Sequence, residues 1–286
     1  MRLTRCLSAI GTVFTLALLV GVGMVRAWGD EKSPAAEQAG KASPEPPLSA
    51  EVVGKLHAKL DREIQELTES LKRSPENVEL YSQRGDRLFF RGKFAEAVAD
   101  FDKMVELNPQ LDNSHWRRGI ACFYAKQYEQ AAHQFEIYHS FDNIDRENGI
   151  WRYLSQVKAV GRDEARKGLL KYEKDDREPF PDVYKMFAGD RTGAEILEKI
   201  KSADLSANER TQRLFYAELY VGLNEAVEGR AESAEAHLRE AVANTWGAKA
   251  GGGPGWMWQV GRVHYDLLRQ AREKESSKAN EPTSGK

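Results

Sequence analysis

Residues 85–101 read GDRLFFRGKFAEAVADF and residues 119–135 read GIACFYAKQYEQAAHQF. Gly85 returns as Gly119, Phe94 as Tyr128, Ala97 as Ala131 and Phe101 as Phe135, each after 34 positions. Pro109 follows Pro75 at the same step. A fixed period of about 34 residues marks a helix–turn–helix unit that cannot bury its apolar face without a neighbour. The expected fold is therefore all-α, a solenoid of paired helices forming an α-α superhelix.

In the unit 78–111 the spacing predicts a first helix over 80–91 and a second over 94–107. Gly92 falls between them, where the absent Cβ allows a tight reversal. Gly85 and Ala97 are small where the two helices should cross, so their backbones can approach. Phe94, Phe101 and Met104 recur at helical spacing and would fill the gap to the next unit. Pro109 has no N–H to continue a helix and stops the second one. The unit 112–145 repeats the plan, with a helix over 116–125, a turn at Lys126 and Gln127, and a helix over 128–138.

On these residues the chain resembles the tetratricopeptide repeat (TPR) family. The matching residues of the first copy are Tyr81, Arg84, Gly85, Gly92, Phe94, Ala97, Asp100, Phe101, Glu106, Leu107 and Pro109. Those of the second are Arg118, Gly119, Tyr128, Ala131 and Phe135, and Asn143 stands where the proline would be. The resemblance implies a TPR-type helix–turn–helix solenoid with degenerate units and a C-terminal capping helix. The whole plan is also similar to periplasmic TPR lipoprotein adaptors that present cell-wall hydrolases to a tail-specific protease. Trp151-Arg152-Tyr153-Leu154, the short helix pairs up to residue 202 and Ala241-Val242-Ala243-Asn244 carry that second likeness. It implies a noncatalytic adaptor. No lipobox accompanies it, because Cys6 precedes the apolar run instead of closing it.

Taken in order, residues 1–27 read as a signal peptide. Arg2 and Arg5 precede 20 uncharged residues, and Val25-Arg26-Ala27 offers a cleavage site. An exported chain, periplasmic or secreted, is expected. An uncleaved signal anchor is the rival, since such a run can just span a bilayer, and membrane contact is expected only in that case. Residues 28–48, with Pro34, Pro44, Pro46 and Pro47, form a disordered linker, and 273–286 a disordered tail. The solenoid occupies 49–272.

Its first helix, over 49–73, carries Val53, Leu56, Leu60, Ile64, Leu67 and Leu71 as one apolar stripe. After Asn143 the period weakens into shorter pairs, with helices over 147–160, 163–172, 182–188 and 193–202 and a charged loop over 173–178. Ser206 and Glu209 form a capping box for a long helix over 207–228. With 231–243 it makes a degenerate repeat spanning about 207–244. Residues 251–255 read as a flexible loop, and a last helix over 256–272 is expected to cover the far end of the stack.

Catalytic spacing is not found. The six histidines form no His-x-x-x-His pair and no Cys/His pattern, so no metal site is expected. Cys122 is the one cysteine left after signal cleavage, which excludes an internal disulfide. Residues 251–255 lack the Gly-Lys-Ser/Thr ending of a phosphate loop, and no cofactor is expected. Forty-two basic against 44 acidic residues give no electrostatic case for nucleic acid. The chain reads as a non-enzyme without a small-molecule substrate.

In a stacked helical array the first helix of each unit lines a concave surface. Ser82, Asp86, Phe89 and Phe90 are spaced to share it in one unit, and Asn113, Trp116, Arg117, Ile120, Phe123 and Tyr124 in the next. Such a patch suits an apolar helix or extended segment of a protein partner, oriented by Arg117 and Asp86. The chaperone-binding subgroup of the family wants Lys and Asn where Ser82 and Asp86 stand, so that role is not supported. Self-association into a homodimer through the aromatic faces is the alternative.

Overall fold

The computed structural model describes residues 46–174 and 176–279, and every regular element among them is helical. The segment expected to be a signal peptide, most of the expected linker and the expected tail beyond residue 279 lie outside the described residues. The elements are α1 (Ala50–Arg73), α2 (Val78–Phe90), α3 (Phe94–Leu107), a 3-10 segment (Pro109–Ser114), α4 (Trp116–Tyr124) and α5 (Tyr128–Phe141). Next come α6 (Arg146–Val160), α7 (Arg162–Lys167), α8 (Phe180–Ala188), α9 (Gly193–Ser202), α10 (Ala207–Val227), α11 (Ala231–Ala243), α12 (Thr245–Lys249) and α13 (Gly252–Ala279). Among the described residues, no helix is long and apolar enough to cross a membrane.

One local geometry occurs in α2–α3, in α4–α5 and again in α10–α11. A glycine of the first helix lies on a large side chain sixteen positions later: Gly85 on Phe101, Gly119 on Phe135, Gly222 on Leu238. A Cβ at these glycines would stand 2.5, 2.7 and 2.8 Å from those side chains. Seven positions after each glycine the backbone turns through positive φ, +82° at Gly92, +64° at Lys126 and +82° at Gly229. The next N–H then donates to the carbonyl five residues back, Lys93 to Leu88 (2.8 Å), Gln127 to Cys122 (2.9 Å) and Arg230 to Glu225 (2.9 Å). This is a Schellman closure, which satisfies carbonyls that the helix end leaves orphaned. Ala97, Ala131 and Ala234 are fully buried where the second helix begins.

Polar pairs brace the same crossings. Arg84 grips the buried carboxylate of Asp100 with both Nε and Nη2, at 2.8 and 2.6 Å. Its counterpart Arg118 reaches Gln134 at 2.8 Å and Asp102 at 2.6 Å. Ahead of these pairs, Ser49 caps α1, which lies against α2 through Arg87–Glu63 and Arg91–Asp61. Leu60 and Leu71 of its apolar stripe are buried.

Expectations about two elements, α7 and α13, need correcting. The helix expected over 163–172 stops as α7 at Lys167. Arg152 of α6 takes the Gly168 carbonyl, and the chain then runs back over α6, where Tyr172 and Tyr184 occupy the space a Cβ at Gly149 would need. Residues 252–255 are the first turn of α13, not a loop, as proline tolerates that position. The helix also continues through residues 273–279, placed in the tail by sequence.

The last correction concerns where α13 lies. It packs on α11 and α12, and its first half also reaches back to α2 and α4. Trp256 stacks on Phe89 (4.6 Å between centroids), and Arg262 donates to the Phe90 carbonyl (2.5 Å). The Tyr124 hydroxyl and His264 Nδ1 share a hydrogen bond of 2.9 Å. Uncovered, Phe89 and Tyr124 would leave two aromatic faces in water, and each buried apolar Å² is worth about 25 cal/mol. Helix α13 removes that surface from solvent.

Candidate functional site

The covering helix changes what the expected groove residues can do. Phe89, Ile120, Phe123 and Tyr124 are buried, and Ser82 with them. Arg117 donates to Asp86 (2.7 Å) and Ser82 (3.0 Å), and Trp256 Nε1 donates to Asp86 (2.9 Å). These polar groups therefore hold α2, α4 and α13 together and are not free to orient a partner. Asn113 is exposed, but it sits on the 3-10 segment before α4. The inner wall expected to be open is closed because Trp256 sits on it.

Two cavities remain on either side of this contact, and Trp116 lines both. The first, about 590 Å³, lies between Asp86, Phe90, Trp116 and Arg117 on one side and Gly252, Trp256, Trp258 and Gln259 of α13 on the other. The second, about 320 Å³, is bounded by α4, α5, α6, α10 and the start of α13. Its apolar wall is Trp116, Ile120, Phe135, Tyr138, Trp151 and Met257, and its polar end is Asp145, Glu147, Arg177 and Tyr216. Concave, mostly aromatic walls with a few convergent polar groups are the usual form of a ligand site. Of the residues expected on the wall, the structure brings Asp86, Phe90, Trp116 and Arg117 to the first cavity and Trp116 with Ile120 to the second.

The polar end of the smaller cavity is built around Glu147. Asp145 caps α6, its Oδ1 accepting from the Glu147 N–H at 3.0 Å, which sets Glu147 in the first turn of the helix. Arg177 donates to Glu147 Oε2, to Asp176 (3.1 Å) and to Asp145 (3.4 Å), and the Tyr220 hydroxyl donates to Glu147 Oε1. The guanidinium lies 4.3 Å over the Phe180 ring. Asp176 in turn accepts from the Arg146 N–H at 2.9 Å.

Three carboxylates thus surround one guanidinium in a site where the Glu147 side chain is only 15% exposed. Burial pushes the Glu147 carboxyl up to about 7, with the neighbouring Asp145 charge adding to it and Arg177 opposing. Asp145 is raised too, chiefly by burial. Partial desolvation opposes the Arg177 charge, with the side chain 42% exposed, yet Glu147, Asp145 and Asp176 hold that charge more firmly than in water. Burial and the Glu147 charge raise the hydroxyls of Tyr216 and Tyr220. Beside this cluster, Trp151 Nε1 is buried and, among the described residues, has no hydrogen-bond partner.

Nucleophilic chemistry finds little support elsewhere. Cys122 is buried and its thiol is pushed up to about 11, the reverse of an activated thiolate. Burial lowers His115 to about 3 and His264 to about 4, so both stay neutral at physiological pH. Among the described residues, no three His, Cys, Asp or Glu side chains could together hold a metal ion.

Sequence reasoning placed Trp116 and Ile120 at a binding surface but missed Asp145, Glu147, Arg177 and Tyr216. Arg177 and Glu147 are 30 positions apart and Tyr220 and Glu147 are 73 apart, so no local spacing signals them. No protein-family model matches the chain.

Proposed function

We propose that the chain is an exported, noncatalytic scaffold of the TPR type that holds a segment of a protein partner in the cavity beneath Trp116. The observation that carries this reading is the cavity itself, apolar on Trp116, Ile120, Phe135 and Met257 and polar at Glu147 and Arg177. The solenoid architecture draws support from the three hairpins that share glycine contact, left-handed turn and Schellman closure. Export draws support from the pattern of residues 1–27. A partner sidechain seated in such a pocket is the common anchor of peptide recognition. The test is affinity capture from the exported fraction with wild type and with Trp116→Ala plus Met257→Ala. Loss of a partner at unchanged helicity is the expected result, and equal capture by both removes the site.

Self-association is the second reading, and one observation favours it. Phe141 is 60% exposed and Ile144 38% exposed, close together at the turn from α5 to α6. Sedimentation at several concentrations separates the two readings. A dimer abolished by Phe141→Ser would support assembly through that corner.

A further inference from the structure

We propose that the cavity beneath Trp116 receives a basic residue, Lys or Arg, from a peptide segment, with its charge at Asp145 and Glu147. The inference rests on the scaffold reading and adds the chemistry of the segment. The charge balance comes first. Asp145, Glu147 and Asp176 share the single guanidinium of Arg177. Among the described residues Asp145 Oδ2 accepts no hydrogen bond, although Asp145 lines the cavity. A cation donating there would balance the excess and occupy an acceptor that no described residue uses.

The walls suit a cation as well. Trp116, Tyr138, Trp151 and Tyr216 all line the cavity, and aromatic faces attract ammonium and guanidinium groups. The same site already holds Arg177 in this way, over Phe180 at 4.3 Å and Tyr216 at 5.7 Å. The alkyl stem of a long basic side chain would lie along Ile120, Phe135 and Met257.

The choice of a peptide over a free amine comes from Trp151. Its indole lines the cavity, is 1% exposed, and its Nε1 has no acceptor among the described residues. Leaving a buried donor unsatisfied costs about 1–3 kcal/mol. An amine or polyamine brings donors only. A basic residue within a peptide brings a cation for the carboxylates and a backbone carbonyl for the indole.

Occupancy should then be linked to the ionisation of Glu147. The groups that face it are Asp145, Asp176 and Arg177, Tyr216 and Tyr220 of α10, and Tyr138 of α5. Helices α4 and α13 place no charge on the cavity lining. Ionised Glu147 attracts a cation and protonated Glu147 does not, so affinity should rise as the pH passes upward through about 7.

A random heptapeptide library displayed on phage, selected against the full chain and against Glu147→Gln, tests the inference. Glutamine keeps an acceptor for Tyr220 and removes the charge. Wild type should enrich Lys or Arg at one fixed position, and the variant should lose that preference. The best peptide, resynthesised with norleucine for its basic residue, should bind wild type about tenfold more weakly. The Lys peptide should bind up to about tenfold more tightly at pH 8 than at pH 6, and the norleucine peptide equally at both. The last two comparisons use wild type alone, so they decide the matter even if Glu147→Gln does not fold. Enriched peptides without a preferred basic residue, or equal binding of both peptides, overturn the inference and leave the scaffold reading standing. Enrichment of no peptide removes both.

Discussion

Trp256 stacks on Phe89 with ring planes 21° apart and centroids 4.6 Å apart, while its Nε1 donates to Asp86 of the same helix at 2.9 Å. One side chain of the last helix therefore closes the aromatic face of α2 and takes up one of its carboxylates. Asp86 is buried enough that desolvation raises its carboxyl, with Arg117 and Trp256 opposing that rise. Removing the indole exposes the rings and withdraws a donor from a half-buried acid.

Trp256→Ala should therefore destabilise the fold by about 3–5 kcal/mol, the usual cost of emptying a buried aromatic site. Urea unfolding followed by far-ultraviolet circular dichroism measures it. Dye binding to exposed apolar surface should rise in the native baseline. A change below about 1 kcal/mol would mean that α13 does not close the α2 face.

Gly85 and Phe101 should behave as a coupled pair. A Cβ at residue 85 would meet the Phe101 ring at 2.5 Å, and Phe101 is fully buried. Gly85→Ala should cost about 1–3 kcal/mol by overpacking. Adding Phe101→Leu should cost less than the sum of the two single changes. A double-mutant cycle reads the difference, and strict additivity would contradict the contact.

The turns predict opposite signs at equivalent positions. Lys126 adopts φ +64° where Gly92 and Gly229 adopt +82°. A left-handed residue with a Cβ costs about 1–2 kcal/mol, so Lys126→Gly should stabilise by up to about 1 kcal/mol after the entropy of glycine is counted. Gly229→Ala, where a Cβ meets nothing within 4 Å, should still destabilise by about 1 kcal/mol through φ alone. Equal thermal midpoints for both variants and wild type would refute the turn geometry.

Glu147 should make stability fall as pH rises. Its folded value of about 7 lies above the ordinary value of 4.5, so the native state binds the extra proton in between. That contribution is complete below 4.5 and is lost as pH climbs through 7. The loss should be about 3 kcal/mol. His115 and His264, lowered to about 3 and about 4, act the other way and at lower pH, removing stability as pH drops below 6.5. Comparing wild type with Glu147→Gln from about pH 4.5 to 8 isolates the carboxyl, since the histidine contributions are common to both, and parallel profiles would refute its burial as the cause.

The parts of this fold that could be read from sequence are those with local causes. The 34-residue step exposed the two leading hairpins because Gly85, Gly92, Ala97 and Phe101 act within seventeen residues of one another. Helix ends were readable where a cap or proline fixes them, as at Pro75 and Ser206. Helix α12 escaped notice although Asn244 caps it through two backbone N–H groups, because five residues show no periodicity. The early end of α7 depends on Arg152 reaching Gly168, and the position of α13 on Trp256 meeting Asp86 across 170 positions. The candidate site divides in the same way. Trp116 and Ile120 stand at helical spacing, whereas the Glu147 cluster is assembled from α6, the 168–179 segment and α10.

Incorporation of a photo-crosslinking phenylalanine analogue in place of Trp116, with Asn113 as the control, tests most directly whether this cavity receives a partner. Asn113 is exposed and lies three positions away, outside both cavities. A discrete adduct with another polypeptide from position 116, absent from position 113, is the predicted result. An adduct from 113 alone, or none from 116 in cells that express the chain, would contradict the account.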